Sequence, residues 1–139
     1  MKAEDLMVGD LVYYSYANHF VTKVIDVCSH GEEPFIRCKR NEKDSLYKQG
    51  QLEDFHVGIL RPIILTEEIL KKNGFYGEVY LWINAGDEKT LEYYPFEHRL
   101  SLWYGGEKNQ EILFKGHCFY VHELQHALKL CGIEKEIIL

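Results

Sequence analysis

Only two stretches of this chain can sustain a helix, and almost everything else is written in short strands. "DLVYYSY" (Asp10 to Tyr16), "FVTKVIDVC" (Phe20 to Cys28) and "PFIRCKR" (Pro34 to Arg40) are runs of β-branched and aromatic residues. Turn formers part them at Ala17-Asn18-His19 and at Ser29-His30-Gly31. In the longest run Val21, Lys23, Ile25 and Val27 alternate with Thr22, Val24 and Asp26, which leaves both faces nearly apolar. That pattern suits a strand curled inside a small barrel better than one lying on a wet sheet. With Gly9-Asp10 turning the chain into the first run, residues 1–62 are expected to form an SH3-like β-barrel module.

The boundary after it is "RPIILTEEILKKNGF". Pro62 disfavours helix before it, and Thr66 can cap a helix that begins at Glu67. Glu67 and Glu68 then sit at the positive end of the helix dipole, Lys71 and Lys72 at the negative end, and Asn73-Gly74 supplies the left-handed stop. Four strands are expected next: "YGEVYLWIN" (Tyr76 to Asn84), "KTLEYYPF" (Lys89 to Phe96), "HRLSLWYG" (His98 to Gly105) and "QEILFKG" (Gln110 to Gly116). "AGD" and "GGEKN" read as hairpin turns, and Pro95 as a bulge or an edge. Leu100, Leu102 and Tyr104 are expected on a core face, with Arg99, Ser101 and Trp103 on a wet one. A second helix from Val121 stops at Gly132, and "IEKEIIL" follows as a short strand or tail. The expected class is α+β: a small barrel, then a module over residues 63–139 made of a helix, an antiparallel sheet and a C-terminal helix packed on it.

Charge narrows the partners. The formal net charge is −6, which repels double-stranded DNA unless a basic patch is segregated on one face. The densest basic run, Arg37 to Lys43, contains Glu42 and is followed by Asp44, so it reads as a solvated turn. No apolar run approaches the roughly 18 residues that span a bilayer, and the first ten residues lack the apolar core of a signal peptide. Cys28, Cys38, Cys118 and Cys131 form no C-x-x-C pair and are expected to be reduced, in a cytoplasmic setting.

One stretch advertises chemistry. "HELQH", His122 to His126, is H-E-x-x-H, in which two imidazoles one helical turn apart hold zinc and Glu123 takes a proton from bound water. A third ligand is not evident, because "HALKLCG" contains no further histidine and Glu134 and Glu136 follow too closely. Lys129 falls on the same side of the helix as the two histidines, one turn further along, and would oppose a dication. On a helical wheel Tyr120, Val121, Leu124, Leu128 and Cys131 form the packed stripe, with Ala127 at its edge, and His122 and His126 the opposite, polar side. His122 is expected to hydrogen-bond a neighbouring segment, and His126 to be exposed. Cys118 beside His117, His122 and His126 offers a thiol with a base, although a buried structural cysteine needs no such role. Trp82 and Trp103 could stack on a sugar or a base, or serve as ordinary sheet aromatics.

"RPIILTEEILKKNGF" and "YVHELQHALKLCGI" together resemble a group of small uncharacterised proteins from Bacteroides-type gut bacteria and their mobile elements. The matching positions are Leu6, Gly9, Asp10 and Val12, then Ile64 to Phe75, then Tyr120 to Gln125. The frequent form of the closing helix in that group is similar to V-H-Q-L-Q-N, with Gln where Glu123 stands and Asn where His126 stands. The resemblance therefore implies that His122, Leu124 and Gln125 are the common elements, which is not a zinc site.

The function read from the chain is a non-enzymatic accessory protein with a protein-interaction role. The alternatives are a zinc-dependent hydrolase acting through His122, His126 and Glu123, and a nucleic-acid adaptor built on the barrel. Self-association stays open.

Overall fold

The computed structural model of the chain describes residues 1–14, 20–28, 35–40, 51–106 and 110–139. The turns expected at residues 17–19 and 29–31, the end of the basic run at 41–43 and most of "GGEKN" lie outside the described residues. The class is α+β, with two antiparallel sheets and two α-helices. The chain divides into two compact units, one of Met1–Ile63 with Tyr120–His126, the other of Ile64–Phe119 with Ala127–Leu139.

The sheet of the first unit is made of β1 (Leu11–Tyr14), β2 (Phe20–Cys28), β3 (Phe35–Arg40), β4 (Leu52–His56) and β5 (Leu60–Pro62). Its order is β4-β3-β2-β1-β5, so the last strand returns to the edge of the first. A 3-10 turn at Val57–Ile59 makes that return. The alternation of β2 shifts at a bulge between Val24 and Asp26, which bends the strand over a core of Leu6, Val12, Val24, Ile36, Phe55 and Leu60. Among the described residues the sheet stays open, with no closed barrel. Arg40 corrects the solvated-turn expectation for the first half of the basic run. It lies in β3, is 5% exposed, and its Nη2 is 2.9 Å from Glu53.

In the second unit α1 (Glu67–Lys72) starts where the sequence says, with Thr66 Oγ1 accepting from the Ile69 N–H at 3.3 Å. Its stop does more than turn the chain. Asn73 is buried; its amide donates to the Ile69 and Ile138 carbonyls and its oxygen accepts from the Ile138 N–H, pinning the C-terminal tail without a strand. The meander β6 (Leu81–Gly86), β7 (Lys89–Tyr94), β8 (Arg99–Tyr104) and β9 (Glu111–His117) pairs in sequence order. The first of these strands begins five residues later than its aromatic run suggests. Gly77 has φ +135°, and a Cβ there would meet the Tyr80 carbonyl oxygen, so a turn replaces the strand's expected start. Asp87 and Glu88, both at positive φ, make the two-residue hairpin into β7. Leu100 and Leu102 are buried as the alternation predicts, and Leu91 and Tyr93 beside them, but Ser101 is buried too and Tyr104 is exposed.

The closing helix, α2 (Val121–Leu130), departs most from expectation. Its residues are shared: Tyr120–His126 group with the first unit, and the turn that follows groups with the second. Val121, Leu124 and Leu128 are buried as the stripe predicts, with Ala127 at its edge, while Tyr120 and Cys131 are half-buried. Its supposed polar side is not exposed, however, because His122 is buried and Gln125 and His126 are half-buried.

Candidate functional site

The site grows from a turn in the first unit. The Asp10 N–H donates to the Met7 carbonyl at 3.1 Å, and Gly9 takes φ +102°, the left-handed position that a tight turn of this kind reserves for glycine. The Gly9 N–H donates to the Val24 carbonyl, and the Val24 N–H to the Asp10 carbonyl, each at 2.8 Å, which fixes the turn on β2. The Asp10 side chain is thereby held inward at 2% exposure, where its carboxylate accepts the Met7 N–H at 2.7 Å.

The first half of α2 closes on this turn. Gln125 brackets it, its amide donating to the Gly9 carbonyl at 3.0 Å and its oxygen accepting the Leu11 N–H at 2.9 Å. His126 lies beside it, with Nε2 2.9 and 2.8 Å from the two oxygens of Asp10. A carboxylate only accepts, so Nε2 carries the proton of this bond. The exposed surface residue expected at His126 is in fact a helical side chain of 22% exposure, bound to a buried acid. The reason lies 116 positions away, in a turn that no local pattern connects to the helix.

The other members of "HELQH" are engaged as well. The Glu123 carboxylate reaches back to accept the Tyr120 N–H at 3.1 Å, as an acidic residue in a first helical turn does to satisfy an orphan donor. His122 is 5% exposed, stacks on Tyr120 with ring centroids 5.7 Å apart, and meets the His126 ring edge-on at 5.7 Å. The hydrogen bond expected of it is absent at Nδ1, which is buried with no partner. Burial pushes the imidazole pKa below 6.5 against the pull of Asp10 and Glu123, which favours the neutral ring.

A cavity of about 500 Å³ opens beside these groups, lined among others by Met1, Met7, Tyr120, His122, Glu123 and His126. An imidazole oriented by a buried carboxylate is the base-and-orienter half of a catalytic triad. Among the described residues, none that lines the cavity is a serine, threonine or cysteine that could act as its nucleophile. Among the described residues no three His, Cys, Asp or Glu side chains are grouped as a metal ion would need.

The remaining candidates fall in the second unit. Cys118 is buried, its N–H donating to the His98 carbonyl and its carbonyl accepting from the Tyr93 hydroxyl. Trp82 packs on Tyr76 at 3.9 Å, and Trp103 donates its indole N–H to Glu92 at 2.8 Å across the two central strands. Asp10 and Gln125 make bonds that join the Gly9-Asp10 turn to α2, and the H-E-x-x-H spacing gives no sign of them.

Comparison with family models, with curated proteins and with solved structures returns no match.

Proposed function

We propose that this is a non-enzymatic accessory protein that works by binding another protein, and that the turn between β7 and β8 makes the contact. The observation that carries this reading is Phe96, which is 97% exposed on a 3-10 turn at Pro95–Glu97. Pro95 fixes the entry to the turn, and His98 at φ +46° fixes the exit. A phenyl ring held out this way offers much apolar area at little further cost in conformational freedom, the property of an interface anchor. His98 adds to the surface, packing on the half-exposed Phe119 at 4.8 Å.

The motif residues support the same reading from the other side. Glu123, Gln125 and His126 all serve hydrogen bonds that hold the fold. The two end segments of the family resemblance are the ones joined at Asp10, which supports taking their common residues as structural. The strand order, with β5 returning beside β1, supports an SH3-like ancestry for the first unit. No described helix is long and apolar enough to cross a membrane.

The test is capture from native extract by wild-type protein and by Phe96→Ala. The expected result is a bound protein that the variant loses. Equal capture by both would remove the turn from the function. Salt-sensitive retention of RNA or DNA by both proteins would replace this reading with the nucleic-acid one.

A further inference from the structure

The protein-binding reading of the turn leaves its partner open, and the second unit supplies a fitting receptor. Leu102, Leu113, Phe114, Ala127 and Leu130 line an apolar groove of about 310 Å³, together with Cys131 and Lys89. The walls are far from sealed, since Leu130 is 77% exposed and Leu113 is 52% exposed. Resting on that reading, we propose that the partner is a second copy of this chain, whose groove receives Phe96.

Three observations select this occupant. The groove is apolar and wide enough for a phenyl ring, and Phe96 is the most exposed of the chain's large apolar side chains among the described residues. The charges match: Lys89 lines the groove, while Glu97 follows Phe96 on the turn. Glu97 also meets Arg99, at 2.7 Å through one carboxylate oxygen. Finally, the turn and the groove occupy opposite ends of one sheet. The turn joins Tyr94 to Arg99, whereas the groove is built on Lys89 and Leu102, near the far ends of the same two strands.

A knob at one end and a hole at the other allow head-to-tail association, whereas a closed two-fold pair must seat both knobs at once. Pairing through the open edge of β9 is the competing mode, and the strand opposes it. Leu113 is an extra residue opposite the Leu102–Trp103 step, which breaks the alternation a neighbouring strand would need. One aromatic anchor and one ion pair make a small contact, so association belongs in the micromolar to millimolar range.

Sedimentation velocity of the full chain at low salt, over about 10 μM to 1 mM, tests this. Wild type should associate with concentration. Phe96→Ala, which lacks the knob, and Leu130→Glu, which charges the groove at an exposed position, should each remain monomeric with an unchanged circular dichroism melt. Mixed in equal amounts they should form a one-to-one complex that grows no further, because each supplies what the other lacks. Glu97→Lys should weaken association, and adding Lys89→Glu should restore it, a rescue that general destabilisation cannot produce. A monomeric wild type, association of Phe96→Ala equal to wild type, or failure of the charge reversal to rescue would overturn the proposal. If the wild type is monomeric while Phe96→Ala still loses a captured protein, only self-association falls. If neither changes, the role of the turn falls with it.

Discussion

Asp10 and Phe96 show opposite fates for a side chain on a tight turn. Asp10 is 2% exposed and its carboxylate takes both the Met7 N–H and His126, while Gln125 binds the backbone on either side of it. Phe96 is held by a turn equally defined in its dihedral angles, yet stands 97% exposed. The difference teaches where to look for activity in such a chain. A cluster of titratable groups whose polar atoms already bind one another has its chemistry engaged in folding. A costly apolar exposure that the local backbone enforces is free to be used by something else.

The sharpest way to break this contrast is Asp10→Ala. If the cluster is structural, removing the buried acid strands the Met7 N–H and His126, and unfolding in urea should show a loss of about 3–5 kcal/mol. A loss under about 1 kcal/mol would mean the bonds at Asp10 hold little.

Acid should expose the cluster next. His122 folds with its pKa pushed below 6.5 by burial, so between that value and 6.5 the unfolded chain binds more protons than the folded one. Its contribution to stability is therefore whole above about pH 6.5 and falls as the pH drops, with a slope of at most about 1.4 kcal/mol per pH unit, levelling below the folded value. Urea midpoints measured down to about pH 5 should show this fall, and His122→Gln should flatten it. A slope that survives the substitution would assign it to another group.

His126→Asn is a milder probe. Asparagine can still donate to Asp10 from a shorter side chain, so a loss of about 1 kcal/mol is expected, larger than an exposed position would give. The same pair of proteins tests the metal alternative. Metal content after purification without chelator, and melting with and without chelator, should be the same for both. Near-stoichiometric zinc in wild type, lost in the variant, would return "HELQH" to metal chemistry.

The smallest effect belongs to the other side of the comparison. Phe96→Ala should leave unfolding within about 0.5 kcal/mol of wild type, as a surface substitution does, while changing what the protein binds. A larger loss would show that the ring packs on its own molecule.

What could be read in advance followed from local rules. Thr66, the acidic first turn, the basic last turn and Asn73-Gly74 bounded α1 because capping and dipole effects act within a few residues. The buried stripe Val121, Leu124 and Leu128 followed from period alone. The polar side of the same helix did not, since Gln125 and His126 are half-buried on a turn more than a hundred positions earlier. Tyr76 to Tyr80 failed for a different reason: propensity favoured a strand, and the positive φ of Gly77 decided against it.

The span between Asp10 and its partners also sets a clock. Leu11 and Gln125 are 114 positions apart, and Asp10 and His126 are 116 apart. At a synthesis rate of roughly 5–20 residues per second, the turn leaves the ribosome about 6–23 seconds before the helix that encloses it exists. Late in that interval the residues of β1 to β5 are out while Tyr120–His126 are not, so Asp10 lacks the helix that encloses it. Nascent first units are thus candidates for chaperone capture, and a chain stalled before Gln125 should be protease-sensitive in residues that the finished protein protects.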